Sequence, residues 1–266
     1  MSTQNRHQRL AALRDIIADI ERKPALAEAR QRVASDQDGF PELPGGLLQE
    51  VYTDQSRNAG AALGFALAQA KALLTPRRMA VLYLQLVGET QNLGLPYGPG
   101  LVSFGFDPAA LVLIRPANMA ELLWAAEEAL ACRAVAAVIA DICRPHKALD
   151  FTASRRLGLR AAEAGSSMFF LRYGSERQAS AAHLRWHLMP GVSNDKPYDD
   201  RAPGNARWQV RLERGSIGKQ HAQWLLEWTE NGLSHIPSPH STRPFAGSTL
   251  PRPVPALLAD GLSQTA

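Results

Sequence analysis

Apolar residues return every third or fourth position between His7 and Glu21, at Leu10, Leu13, Ile16, Ile17 and Ile20. That spacing predicts a helix with one apolar stripe, which Pro24 ends. Residues 34–46 turn acidic and then read FPELPGG, a loop. Beyond them the pattern becomes a series of short apolar runs. Leu47–Tyr52, Met79–Val87, Leu111–Ile114, Ala134–Asp141 and Met168–Leu171 predict buried strands. Helical stretches lie between them. Ala59–Leu74 is one, stopped by Pro76. A second opens at Asn118, with Glu121 three residues on as a capping box, and runs to about Cys132. A third, Thr152–Ala164, carries three arginines and stops at Gly165. Gly88–Pro108 is rich in glycine and proline, with an apolar patch at Leu101–Phe106 and a turn at Asp107-Pro108.

Strands alternating with helices predict an α/β fold with a largely parallel sheet. The period then changes. Leu184, Trp186 and Leu188, then Trp208, Val210 and Leu212, then Trp224, Leu226 and Trp228 alternate with other residues as half-buried strands do. The last two form a hairpin around Gly215–Gly218, so antiparallel strands extend the parallel sheet. Four of the five tryptophans lie in this region and are expected to fill core against the sheet. After Asn231 the chain carries six prolines between 237 and 255, which predicts disorder. The division is therefore 1–33, an N-terminal helical segment; 34–230, the core domain; and 231–266, a Pro-rich tail.

Composition narrows the class. With 266 residues and 45% apolar content, the chain can build one large domain with a real core. Two cysteines, Cys132 and Cys143, are too few for a disulfide framework and predict reduced thiols in or near the core. A polar, charged start (MSTQNRHQR) and the lack of a run of roughly 18 apolar residues predict a soluble cytoplasmic protein with no membrane association. The net charge of +4 is uneven: residues 151–221 carry twelve basic and six acidic side chains. Such a surplus suits a face for weak DNA binding.

Candidate chemistry centres on Glu50–Leu67, EVYTDQSRNAGAALGFAL, between a strand and an alanine-rich helix. A phosphate-binding loop stands at such a place and needs glycines, a Lys and a hydroxyl. Thr53, Asp54, Gln55, Ser56, Arg57, Asn58, Ala59 and Gly60 supply one glycine and no Lys. Asp141 ends an apolar strand, as a magnesium-holding acid does in nucleotide hydrolases. No general-base carboxylate follows Met79–Val87 before Glu89. The seven histidines make no H-E-x-x-H motif, and no serine stands in G-x-S-x-G. The frame without the charge predicts a fold kept without hydrolysis: no catalytic residue, no metal, no cofactor and no ATPase activity.

In order and spacing these parts resemble the RecA-like core: a three-layer α/β domain whose mostly parallel central sheet is extended by C-terminal antiparallel strands. The chain resembles more closely the inducible mutagenesis protein A (ImuA) family. The residues that carry this are YGPG (Tyr97–Gly100), FGFDP (Phe104–Pro108), LWAAEEAL (Leu123–Leu130), TASRRLGL (Thr152–Leu159) and the Arg207-Trp208…Trp224…Glu227-Trp228 hairpin. The opening LRDIIADIERKPAL is also similar, and the resemblance covers roughly residues 8–229.

The resemblance implies an accessory protein of SOS-induced mutagenesis. It would act as an adaptor in translesion synthesis with a polymerase-like ImuB-type protein and an error-prone replicative polymerase, with RecA a further candidate partner. Departures from active recombinases fall at the loop, at the catalytic Glu, and in the short segments CRPHKALD and Arg172–Ala182, where DNA-binding loops belong. A RecA-like ATPase or DNA-binding recombination factor, with Arg57 replacing the Lys, and a SulA-like cell-division inhibitor are the alternatives. Candidate DNA or phosphate contacts are Arg155, Arg156, Arg160, Arg172 and Arg177. Candidate partner contacts are Leu10, Leu13 and Ile17 on the N-terminal stripe and Leu257 and Leu258 in VPALLADGL.

Overall fold

The computed structural model describes residues 25, 28–29, 40–193, 195–196, 199–215, 217, 222–229 and 232–236. All fall in one compact unit, Met1–Ile236. Leu10, Leu13, Ile17, Leu257 and Leu258 lie outside the described residues.

The chain enters the sheet at β1 (Leu48–Thr53), passes a short 3-10 turn (Ser56–Asn58) and forms α1 (Ala59–Ala72). It continues through β2 (Ala80–Gln85), α2 (Thr90–Leu93), α3 (Gly98–Ser103) and β3 (Leu111–Ile114). Next come α4 (Met119–Ala131), β4 (Val135–Ile142), α5 (Phe151–Ala164) and β5 (Ser167–Tyr173). The last third holds β6 (Leu184–Gly191), β7 (Asp195–Lys196), β8 (Asp199–Pro203), β9 (Arg207–Arg214), β10 (Gln223–Thr229) and β11 (Gly232–Ile236).

Nine strands form one sheet in the order β11-β10-β9-β6-β1-β5-β4-β2-β3, with β7 and β8 a separate pair. The six strands from β6 to β3 are parallel to their neighbours, and β9, β10 and β11 add on antiparallel. This is the RecA-like α/β fold read from the sequence. The change of direction falls between β6 and β9, one strand later than the change of period. β6 alternates apolar and polar residues, yet it runs parallel to β1.

Alternation sends successive residues to opposite faces. On one face Phe65, Ala66 and Leu67 of α1 pack with Phe169, Leu171, Trp186 and Trp208. On the other, Leu122, Ala126 and Leu130 of α4 and Leu157 of α5 pack with Leu48 and Phe170. Trp186 and Trp208 are fully buried, so core filling holds for them. Their neighbourhood is a chain of aromatic contacts, Phe40–Trp186 at 5.6 Å, Phe65–Trp208 at 6.5 Å and Phe104 stacked on Trp228 at 4.6 Å.

Helix ends follow the sequence. Asn118 Oδ1 accepts from Glu121 N at 3.0 Å, and Glu121 Oε2 accepts in return from Ala117 N, one residue before the cap, at 2.9 Å, a variant of the capping box. Asp150 caps α5 through Ala153 N, and Gly165 ends that helix at φ 69°, where a Cβ is strained. Arg78 secures the same end, donating to Ala164 O, Ser166 Oγ and Val135 O.

Four expectations are corrected. Leu111–Ile114 is an edge strand, with Val112 and Leu113 exposed. The glycine- and proline-rich stretch Gly88–Pro108, given no helix from the sequence, contains α2 and α3, the latter with Pro99 in its first turn, a favoured site for proline. Gly232–Ile236, assigned to the tail, pairs with β10 and closes the sheet. Cys132 is exposed and Cys143 half-buried, both free.

Candidate functional site

The turn after β1 is short and filled. Only Asp54 and Gln55 separate the strand from the 3-10 turn, which leads directly into α1. Thr53 is buried and its Oγ1 accepts from Asn58 Nδ2 at 3.2 Å, drawing the turn closed. Asp54 is exposed, its carboxylate 3.1 Å from His187 Nε2 and 3.7 Å from Arg177 Nη2. No acidic side chain stands in the first turn of α1, and the turn before it carries the Asp54 carboxylate where a phosphate-binding loop carries a Lys. Gly60 is exposed and a Cβ added there meets nothing within 4 Å, so it is not a point of close backbone approach. Gln55, Ser56 and Arg57 are exposed; Ala59 is partly buried.

Asp141 is 2% exposed, on the α1 face of β4 and opposite Gln85 of β2. Tyr83 donates to its Oδ2 at 2.5 Å, Tyr173 to its Oδ1 at 2.7 Å, and Gln85 Nε2 lies 3.5 Å from Oδ2. Both oxygens are thus engaged by neutral protein donors. Burial pushes the Asp141 carboxyl above its ordinary range, against the opposing pull of these hydrogen bonds. Burial and the nearby carboxylate raise both tyrosines far above the phenol value, so they stay protonated as donors. Glu89 is tied across to β4, accepting from Cys143 N at 3.1 Å, and burial raises its carboxyl too. Among the described residues no group of three His, Cys, Asp or Glu side chains is arranged to hold a metal.

On the opposite face lies a buried ion network. Glu50 of β1 is fully buried. Arg185 Nη2 is 2.8 Å from its Oε2, and Ser180 Oγ donates to the same oxygen at 2.8 Å. Arg172 Nε lies 3.2 Å from Oε1 without hydrogen-bond alignment. Arg172 also donates from Nη1 to Gln178 Oε1, at 2.6 Å. Arg177 pairs with Glu213 at 2.8 Å and stands 4.3 Å above the Tyr52 ring. Its hydrogen bond and its charge, together with neighbouring guanidinium and imidazole groups, hold the Glu213 carboxyl low despite burial.

The five arginines read as one phosphate face are not brought together. Arg155, Arg156 and Arg160 are exposed on α5, the latter two at 3.1 and 3.5 Å from Glu127 of α4. Arg172 is 4% exposed and committed to Glu50, and Arg177 is held by Glu213 and Asp54. Arg172 is therefore a structural cation, not a surface contact. Sequence reasoning passed over Glu50, Tyr83, Gln85, Tyr173, Arg185 and His187. The available signal was polar residues inside otherwise apolar strands, LQEVYT and AVLYLQ, which must find buried partners.

Strand order, two flanking helical layers and a filled turn after the first strand define a RecA-like α/β core protein. No family model matches the chain. It is similar to Protein ImuA from two strains of Caulobacter vibrioides, 35% identical in each over 153 residues, which is 54% of this chain. That similarity agrees with the resemblance carried by the YGPG, FGFDP and TASRRLGL segments. The chain spans 59% of the length of the curated relatives it matches.

Proposed function

We propose that this chain is a non-hydrolysing RecA-like accessory protein of damage-induced mutagenesis. It acts as an adaptor for an error-prone translesion polymerase complex that contains an ImuB-type polymerase-like protein. The observation that carries the non-hydrolysing part is the turn at Thr53–Asn58, which has no Lys and instead carries the Asp54 carboxylate, paired with His187 and Arg177. Asp141 supports it, since both its oxygens already accept from tyrosines. The similarity to Protein ImuA supports the pathway.

The test has two arms. Calorimetric titration of ATP with Mg²⁺ into the full chain is expected to give no heat at millimolar nucleotide. Micromolar binding would revive the ATPase reading and make Arg57 and Asp141 the first residues to mutate, and phosphate release above background would overturn the non-hydrolysing reading. Co-purification with the ImuB-type protein of the same organism is expected to yield a complex. Its absence at micromolar concentrations of both proteins would overturn the adaptor role.

A further inference from the structure

α1 is almost wholly built of small and apolar residues, AGAALGFALAQAKA. The exception on its buried side is Gln69, 7% exposed. Among the described residues neither atom of its amide, Nε2 or Oε1, has a hydrogen-bond partner. Every other buried polar cluster described above is at least partly satisfied. An uncompensated buried amide is costly, and natural cores rarely keep one without a use.

Gln69 lines a cavity of about 250 Å³. Its walls come from Phe40 and Leu43 before β1, from Leu73 at the end of α1, from Phe169 of β5, and from Trp228 and Leu233 at the sheet's last two strands. Two polar neighbours are already occupied. Gln49 Oε1 accepts from Trp186 Nε1 at 2.8 Å, and the Lys71 ammonium stands 5.2 Å from the Trp228 ring centroid. The same ring stacks on Phe104 and donates from Nε1 to Phe104 O, so its polar atom is already used. The exposed Glu42 completes the polar part of the lining. A mainly apolar chamber with one buried, unpaired amide on its wall has the form of a small-ligand site: apolar walls for affinity and few polar groups for orientation.

We propose that this cavity binds a compact, neutral, apolar ligand carrying an amide-like edge, a donor and an acceptor side by side, which pairs with Gln69. The volume is below the roughly 300–1,000 Å³ of drug-sized pockets and limits the ligand to one or two rings. Gln69 presents a donor and an acceptor together, so an edge of the same kind satisfies both at once. The site lies away from the Thr53–Asn58 turn and does not depend on the proposed adaptor role.

The probe is benzamide, with toluene lacking the edge and benzoate carrying a charge. Each is titrated into the full-length protein and into the variant below; binding is followed in both by the backbone ¹⁵N–¹H resonances of the cavity wall, and in the parent also by the Gln69 side-chain resonances. Benzamide is expected to shift those resonances saturably and to bind about ten-fold more tightly than toluene or benzoate. Gln69→Met keeps length and apolar volume. It is expected to raise the melting temperature and to abolish the preference for benzamide. Equal binding of benzamide and toluene, a preference retained in Gln69→Met, or no shift of Gln69 at millimolar benzamide overturns the proposal. The last result would mean that ordered water alone fills the chamber.

Discussion

Glu50→Gln tests the buried network most directly. The substitution keeps the shape of the side chain and an acceptor oxygen, but removes the one carboxylate that faces both Arg172 and Arg185. Those guanidiniums are 5% and 11% exposed, so water cannot replace the lost charge. Removing one partner of a buried ion pair costs about 3–5 kcal/mol. Domains of this kind hold about 5–15 kcal/mol in total, so about a fifth or more of the stability is at stake. With a urea m-value of about 2–3 kcal/mol/M, the unfolding midpoint should fall by about 1–2 M. Trp186 and Trp208, both buried, report the transition by fluorescence. The triple variant Glu50→Leu, Arg172→Met, Arg185→Leu removes all three charges and should recover most of the loss, since apolar replacements of buried ion clusters are often neutral or better. A single-variant midpoint within about 0.3 M of the parent, or a triple variant as weak as the single, would refute the reasoning.

Asp141→Asn should be tolerated, because an amide can accept from one tyrosine and donate to the other. The folded carboxyl is raised above its unfolded value of about 3.9, so the native state holds a proton that the unfolded chain has released. Parent stability therefore falls as pH rises through that window, and the variant, measured against the parent in urea at several pH values, should gain with rising pH. A relative loss with rising pH contradicts this sign. Gly45→Ala would place a Cβ 2.3 Å from Gly165 O, at the end of α5, and should cost about 1–3 kcal/mol in thermal melts. Glu127→Gln removes the partner of the half-exposed Arg156 and Arg160. Its effect on stability should stay within about 0.5 kcal/mol. If the α5 arginines bind phosphates, it should tighten binding to a single-stranded oligonucleotide in low salt and steepen the salt dependence; unchanged binding counts against that face.

The strands and helices were legible wherever local pattern decides them. Met79–Val87 and Ala134–Asp141 are apolar runs that contain the buried strands β2 and β4, although Met79 and Val87 at the ends of the first are exposed, and Asn118 with Glu121 fixed a helix start. What local pattern cannot carry is order within the sheet. Leu111–Ile114 reads as core, but it pairs only with β2 and so sits at the edge. Gly232–Ile236 has too little apolar alternation to announce a strand; it forms because β10 offers it an edge. The degenerate turn was readable from missing glycines and a missing Lys. Its fillers were not, since His187 and Arg177 come to Asp54 from more than a hundred residues away. Arg172 was read as a surface cation because nothing in its own neighbourhood shows that it stands opposite Tyr52 in the register.

The contacts of α1 also set the order in which the chain can be completed. Trp208 Nε1 donates to Ala61 O across 147 residues, and Trp228 Nε1 donates to Phe104 O across 124. On a ribosome the first helix of the core therefore emerges long before the strands that cover it. Until β9 and β10 appear, Phe65 and the apolar flank of α1 lack much of their cover, and the nascent chain carries that surface exposed. Strand closure across such separations is slow. A premature stop anywhere before Trp228 should leave an aggregation-prone fragment, so translation of the last third works as the step that commits the whole domain.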